Sequence, residues 1–461
     1  MVIEELTTIH FIGIGGAGMS GLATILLQLG CHVSGSDLKE SSTTALLENI
    51  GAKIFIGHKQ EYMPKETKLV VVSTAIPKNN PEILAAQKLG VPIVHRGEML
   101  GRLMSRQKGI AVSGAHGKTT TTAMICLILS ELDRDPTIYV GGHVAAFGSN
   151  ARLGKGEYFV AEADESDGSF LRLNPHIAIV TNVENDHLDH YGSEDKIKEA
   201  FRQFVRKVPP NGLVVFCNDD PYLRSIDQAV TAPVITYAID NEADLTADRI
   251  SFDDGVSAEI RYEGKLLGML KLSVPGRHNL SNALAAVAVA LKIGLPFDKV
   301  AEALGKYQGV NRRFQTIGRQ QGIWVVDDYA HHPTEIDATL NAARSTAAKR
   351  VVAVFQPHRY SRTRQLYKEF SEAFGQADIV VLDEVYSAGE APICGVSSDL
   401  IYRILAPKQK VYFINGKEDI VDFLEKLCQP GDLVLTLGAG DIWQVAQRFV
   451  NRLQSKERVA K

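Results

Sequence analysis

The chain has 461 residues, of which 45% are hydrophobic and 23% charged, with a formal net charge of -4. That length is more than one hydrophobic core serves and predicts two to four domains, while the ordinary composition excludes a disordered chain. The weak acidity offers no basic surface for nucleic acid, and the longest apolar runs, such as Ala283 to Leu291, fall short of the roughly 20 residues of a membrane span. Cys31, Cys126, Cys217, Cys394 and Cys428 are too scattered for a disulfide frame or a zinc site, and Met-Val-Ile-Glu-Glu lacks the basic start of a secretory signal. These features point to a cytoplasmic enzyme.

The first segment, to about Gln107, predicts strand Thr8–Ile12, a glycine loop, helix Met19–Leu29 and strand His32–Ser36. Further strands are expected at Lys53–Ile56, Leu69–Ser73 and Pro92–His95. Gly13-Ile14-Gly15-Gly16-Ala17-Gly18 sits between strand and helix, with Asp37 ending the next strand. This is a dinucleotide-type fingerprint: a tight turn, a backbone that approaches a pyrophosphate, and an acid near a ribose. On its own it fits NAD(P) and hydride transfer, another diphosphate such as a nucleotide-sugar, or a structural turn.

The second segment opens on Gly109-Ile110-Ala111-Val112, followed by Ser113-Gly114-Ala115-His116-Gly117-Lys118-Thr119-Thr120 and an apolar helix pattern. Strand, glycine loop, Lys-Thr and helix make a phosphate-cradling loop, with Lys118 set for the outer phosphates and the Thr119 hydroxyl for Mg²⁺. The pattern departs from the usual one in carrying Val112 where the first glycine stands. A triphosphate loop here lowers the hydride-transfer reading, which needs no triphosphate. Strands follow at Tyr158–Glu162, Ile177–Thr181, Leu213–Cys217 and Val234–Tyr237. Glu162-Ala163-Asp164-Glu165-Ser166-Asp167 crowds carboxylates at a strand end, where a cation such as Mg²⁺ or an exposed acidic turn accounts for them equally. Asn182-Val183-Glu184-Asn185-Asp186-His187 ends the next strand. Between Ile250 and Val274 short alternating runs predict antiparallel hairpins appended to a mostly parallel sheet. Helix Leu280–Lys292 follows; Asn279 and Asn282 share one of its faces and suit either an adenine edge or helix capping.

The third segment, from near Gly322, alternates strands Ile323–Val326, Arg350–Phe355, Asp378–Leu382, Val411–Ile414 and Leu433–Leu437 with helices such as Thr334–Ala343 and Arg364–Phe374. This pattern implies a parallel sheet covered on both faces. Asp327-Asp328-Tyr329-Ala330-His331-His332-Pro333 and Gln356-Pro357-His358-Arg359-Tyr360-Ser361-Arg362 both lie at strand ends. If the helix has begun, Arg359 and Arg362 point the same way and can hold a small carboxylate. Gly438-Ala439-Gly440-Asp441-Ile442 reads as a turn into the last helix, and the polar tail Gln454–Lys461 as frayed.

Taken together, the glycine loop with its flanks (His10 to Ser20), Glu162–Asp167, Asp327–Pro333 and Phe355–Tyr360 resemble the ATP-dependent Mur ligases of bacterial cell-wall synthesis. The likeness covers nearly the whole chain and is greatest to the branch that adds L-alanine to UDP-N-acetylmuramate; the branch that recycles a murein tripeptide is the alternative. The resemblance implies an α/β chain of three domains. These are an N-terminal Rossmann-like UDP-sugar-binding domain (residues 1–107), a central P-loop ATPase-like domain with a mostly parallel sheet (108–320) and a C-terminal Rossmann-like α/β domain that takes the amino acid (321–461). It implies ATP at Gly114, Ala115, His116, Gly117, Lys118, Thr119 and Thr120, with Asn279, Asn282, Arg313 and Asp328 completing the nucleotide site. Two Mg²⁺ ions would be held by Thr119, Glu162 and His187, and the UDP-sugar by Gly15, Gly16, Gly18, Asp37 and Ser73. Tyr329, His331, Arg359 and Arg362 would receive alanine, and Lys118, His187, His331 and Asp328 would be the catalytic set, His331 as base. The expected state is a cytoplasmic monomer or weak homodimer with no nucleic-acid or membrane partner.

Overall fold

A computed structural model describes residues 7–144, 147–184, 188–226, 230–253 and 255–460. The chain divides into two compact units, one of residues 1–249, 258–270 and 281–307, the other of residues 250–257, 271–280 and 308–461.

The first unit contains two sheets. The smaller has strands β1 (Thr8–Ile12), β2 (His32–Asp37), β3 (Lys53–Ile56), β4 (Leu69–Val72) and β5 (Ile93–His95) in the order β3-β2-β1-β4-β5. All its pairings are parallel. Helices α1 (Ala17–Gln28), α2 (Ser42–Asn49) and α3 (Pro81–Lys88) lie between its strands, and α4 (Arg96–Met104) leads out of β5. Their starts are written in the sequence: Ser41 and Thr44 form a reciprocal capping box at α2, and Asn80 caps α3 with Pro81 in its first turn. The order reverses between β1 and β4, so a crevice opens at their carboxyl ends, where the first glycine loop and Ser73 stand.

The larger sheet runs β15-β14-β13-β12-β11-β10-β6-β9-β7-β8. Its strands are β6 (Lys108–Ser113), β7 (Thr137–Val144), β8 (Ser149–Arg152), β9 (Tyr158–Glu162), β10 (Ile177–Val180), β11 (Leu213–Cys217), β12 (Val234–Ala238), β13 (Leu245–Ser251), β14 (Val256–Tyr262) and β15 (Lys265–Leu272). Parallel β10 and β11 are wholly buried and read Ile-Ala-Ile-Val and Leu-Val-Val-Phe-Cys, as strands covered on both faces must. β14 alternates buried and half-buried residues, and its turn into β15 places Glu263 and Gly264 at φ 48 and 76, the left-handed pair of a tight hairpin. The expected hairpins are therefore present, although β13 starts earlier, at Leu245, and pairs parallel with β12. Helix α5 (Lys118–Glu131) is buried from Thr119 to Leu129. α6 (Leu188–Tyr191), α7 (Glu194–Val205), α8 (Arg277–Lys292) and α9 (Phe297–Gly305) complete the helices of this stretch.

The sheet of the second unit has the order β16-β17-β21-β18-β19-β20, built from β16 (Gln315–Gln320), β17 (Ile323–Asp328), β18 (Arg350–Phe355), β19 (Ile379–Leu382), β20 (Lys410–Phe413) and β21 (Asp432–Leu437). β16 is antiparallel to β17, so this sheet begins before residue 321. The others are parallel. Alternate residues of β18 feed opposite cores: Val351, Ala353 and Phe355 join Ile336, Leu340 and Phe370 of helices α10 (Pro333–Arg344) and α11 (Tyr360–Ala373). Val352 and Val354 pack with Ile420, Val445 and Phe449. Those last three belong to α13 (Lys417–Leu427) and α14 (Trp443–Ala460), α12 (Asp399–Leu405) preceding them. Each such side chain contributes about 1.5–3 kcal/mol by leaving water. The tail expected to fray instead continues α14 to Ala460, because the apolar stripe Val445, Phe449, Leu453 carries its helix onto the sheet.

A buried polar cluster lies inside the first sheet's core. Glu82, on α3, is fully buried and accepts from the Ser36 hydroxyl (2.8 Å), from His58 Nδ1 (2.8 Å) and from His10 Nε2 (2.6 Å). Its three partners need it: Glu82→Ala is expected to lower stability by about 3 kcal/mol or more, since each orphaned buried donor costs about 1–3 kcal/mol, with Glu82→Gln milder. Urea unfolding of the two variants beside the parent chain checks this.

Candidate active site

β6 ends at Ser113, flanked by β10 and β9, so three strand ends converge on the loop that follows. Val112 lies within β6 opposite Glu162, in extended backbone that needs no glycine; the loop starts one residue later than the usual pattern. Gly117 caps α5 at φ 82, and a Cβ there would stand 2.4 Å from Asn282 Oδ1. The loop does not turn all its N–H groups outward as the sequence suggests. Those of Ala115 and His116 are donated to the backbone oxygen (3.2 Å) and side-chain oxygen (2.8 Å) of Asn182. The anion-facing donors left by helix geometry are in the first turn of α5, at Lys118, Thr119 and Thr120.

Lys118 curls back. Its Nζ donates to Gly114 O (2.5 Å), Ala115 O (2.9 Å) and Glu165 Oε1 (2.8 Å). Burial alone lowers its pKa, but Glu165, Glu162 and Asp164 more than offset that and hold the ammonium charged. Glu162 is pushed up by burial, against the pull of Lys118, of the Gly141 N–H at 2.8 Å and of the Thr119 hydroxyl, which donates to it. Burial also raises Asp164, yet Arg96 and Lys118 win and leave it at about 2. Thr119 and Glu162 thus share one oxygen-rich corner, whose donor set suits Mg²⁺. His187, the remaining expected ligand, lies outside the described residues.

Asn282 reaches the loop, and its Oδ1 accepts from Thr121 at 3.2 Å. Asn279 is buried and donates from Nδ2 to Pro275 O at 2.7 Å. At the first loop, Gly15 N donates to Asp37 Oδ2 at 2.8 Å, so Asp37 already occupies one cradle donor; Gly16 precedes α1 and Gly18 lies in its first turn. Ser73, half-buried just past β4, accepts from Ile76 N at 3.2 Å through its backbone oxygen.

In the second unit, Asp328 accepts from Phe314 N and Ala330 N, both at 2.7 Å. Each oxygen accepts one backbone N–H and keeps a further lone pair, so Asp328 shapes the turn that carries Arg313. Arg312 and Arg313 stack on the Tyr329 ring at 4.9 and 5.4 Å. Arg313 also donates to Glu335 at 3.4 Å. His331 Nδ1 lies 3.0 Å from Tyr329 O and 3.1 Å from Glu335 Oε2; two acceptors require the proton on Nδ1 and leave Nε2 as the basic nitrogen of the neutral ring. Burial, with His331, Arg362 and Arg359, pushes His358 down to about 3, which marks these four side chains as one group.

The shared-helix argument for Arg359 and Arg362 fails. α11 starts at Tyr360, and Arg359 precedes it at φ 70, ψ 136, a strained conformation that a side chain rarely adopts. Gly438–Ile442 is, as expected, a turn into α14; Arg312 donates to the backbone oxygens of Gly438 (2.5 Å) and Gly440 (3.2 Å). Sequence reasoning gave no role to Glu165, Arg96, Asn182, Arg312 or Glu335. Glu165 alone had a local signal, its place in the acidic run.

A buried lysine in a strand-end phosphate loop, ringed by carboxylates, defines an enzyme of nucleotide-driven phosphoryl transfer. Three family models match in succession: "Mur ligase family, catalytic domain" at residues 8–108, "Mur ligase middle domain" at 112–290 and "Mur ligase, glutamate ligase domain" at 312–440. The chain belongs to the Mur ligase family. It is 52% identical over 97% of its length to a UDP-N-acetylmuramate–L-alanine ligase of Desulforamulus reducens, of which 98% is covered. Among solved structures, the UDP-N-acetylmuramate–alanine ligase of Thermotoga maritima matches with TM-score 0.84 and 33% identity, over 97% of this chain and 99% of that one. A murein peptide ligase of Psychrobacter arcticus matches with TM-score 0.72 and 27% identity, over 97% and 98%.

Gly117→Ala is expected to abolish ATP binding by displacing Asn282 and straining φ, measurable by calorimetric titration with ATP. For Asp328, burial raises the pKa from 3.8 to about 6 against the pull of Arg313. A raised carboxyl pKa gives stability that is full below about pH 4 and lost as pH rises through about 6. The parent chain should therefore lose stability relative to Asp328→Asn between pH 4 and 7, as read from melting temperatures of both proteins across that range.

Proposed function

We propose that this chain is an ATP-dependent ligase that joins L-alanine to the carboxylate of UDP-N-acetylmuramate in bacterial peptidoglycan synthesis. The observation that carries the reading is the buried Lys118 ammonium, held among Glu162, Asp164 and Glu165 at the end of β6. The similar alanine ligases supply the names of the substrates.

A carboxylate is a poor electrophile, so amide formation needs its oxygen converted to a leaving group. ATP supplies its γ-phosphoryl to that oxygen, giving an acyl phosphate and ADP. On this reading Lys118 exchanges its carbonyl partners for phosphate oxygens, and the α5 N-terminus adds N–H donors to the same anion. Thr119 and Glu162, with His187, would hold Mg²⁺, which when bound spreads the negative charge of the transferring group. Asn279 and Asn282 would face adenine, with Arg313 beside the nucleotide. Arg359, Arg362 and Tyr329 would hold alanine with its amine turned to the acyl carbon. The amine attacks, phosphate leaves, and His331 Nε2 takes the amine proton. The UDP-sugar would sit on Gly15, Gly16, Gly18, Asp37 and Ser73. Among the described residues no helix is long and apolar enough to cross a membrane; the expected state remains a cytoplasmic monomer or weak homodimer.

The likeness to the Psychrobacter enzyme favours a second reading, transfer of a preformed peptide; its 27% identity, against 52% for the alanine ligase, ranks it below. Oxygen-18 in the muramate carboxylate should appear in released phosphate, and alanine should outpace a tripeptide as acceptor. Phosphate free of the label would overturn the acyl-phosphate route. Lys118→Ala should cut turnover at least about a hundredfold and lower the melting temperature, since Glu165 loses its counter-charge, so turnover is compared at a temperature where both proteins are folded.

A further inference from the structure

Arg96, the first residue of α4, directs its guanidinium two ways. Nη2 donates to Asp164 Oδ2 at 2.7 Å and to Asp167 Oδ2 at 3.0 Å. Nη1 lies against the start of α1: a Cβ on Gly18 would stand 3.4 Å from it and 2.8 Å from the Tyr139 hydroxyl oxygen. That hydroxyl donates to Gly18 O at 2.9 Å, and Tyr139 itself is buried. The first glycine loop is thus in direct touch with a cation that also holds the acidic turn, and the residue after Asp164, Glu165, grips Lys118.

The charges need this arrangement. Asp164 and Asp167 place two negative charges on the Arg96 guanidinium, which lies against the start of α1, and a diphosphate on the adjoining loop adds about two more. Without a cation between them the two anions repel across a half-buried gap. Arg96 neutralises the turn through Nη2, while its Nη1 end lies beside the Tyr139 hydroxyl, with which the guanidinium also hydrogen-bonds, at the start of α1.

We infer that Arg96 is a substrate-binding residue whose Nη1 edge takes the diphosphate of the UDP-sugar at the first glycine loop. The inference rests on the UDP-sugar reading of that loop and adds the residue that supplies its positive charge. Gly18 is then required for more than backbone freedom, because any side chain there would push the guanidinium and the Tyr139 hydroxyl aside.

Calorimetric titration of the full chain with UDP and with uridine tests this. In Arg96→Gln the Kd for UDP should rise about tenfold or more, while any uridine binding is unchanged, since only UDP carries the charge-assisted contact. Arg96→Lys should fall between the two proteins. An equal loss for UDP and uridine would reduce Arg96 to a structural pin and overturn the inference, as would unchanged UDP binding in both variants. If the parent chain binds neither UDP nor UDP-N-acetylmuramate, the reading of the loop fails first. Should both variants unfold, dicarbonyl labelling of Arg96 in the parent chain decides: protection by UDP and not by uridine supports the contact, and equal labelling rejects it.

Discussion

The constraint on which the central module depends is a positive charge kept out of water. The Lys118 side chain is mostly but not fully buried, and charged neighbours and turned-in carbonyls make that tenable. Glu162, Asp164 and Glu165 do this from one acidic run, yet they repel one another, so the run needs a second cation. Arg96 fills that role from a different sheet of the same unit. The phosphate loop is therefore not a self-contained motif. Its lysine, the acidic turn and the arginine form one electrostatic balance across two sheets, and a triphosphate entering it must displace Glu165 or the loop carbonyls from Lys118.

All three sheets use the same device to gather chemistry. In each, the loops that carry the candidate residues follow the carboxyl ends of neighbouring parallel strands, and in the first two sheets adjacent strands, β1 and β4 and then β6 and β10, send their connections in opposite directions. β1 and β4 do this for the first glycine loop, β6 with β9 and β10 for the phosphate loop, and β17, β21 and β18 for the Asp328, Gly438 and His358 segments. The buried β-branched strands fix these ends in place, because a one-residue slip in register would turn every core side chain toward the wrong face.

Most of this frame was legible in the sequence because parallel strands are short apolar runs and their loops carry glycine. The strands of the first and third sheets fall within a residue or two of expectation. β16 escaped notice because Gln-Thr-Ile-Gly-Arg-Gln is an edge strand with little apolar face, and the β7–β8 hairpin because glycines interrupt β7. Site residues divide in the same way. Lys118, Thr119 and Glu162 announce themselves through local pattern, whereas Arg96 and Glu335 gain meaning only from partners met through folding. Arg359 misled because helical spacing was assumed for a residue whose backbone lies outside any helix.

The turn after β21 has an unexpected polarity. In form it is another glycine loop between a strand and a helix, and like the phosphate loop at Lys118 it turns backbone oxygens to a cation, here the Arg312 guanidinium. Asp327 takes the same guanidinium at 3.0 Å, which anchors it from below. A pyrophosphate arriving at this corner would meet those oxygen lone pairs. One guanidinium thus ties the entry of α14 to the end of β17 within this module.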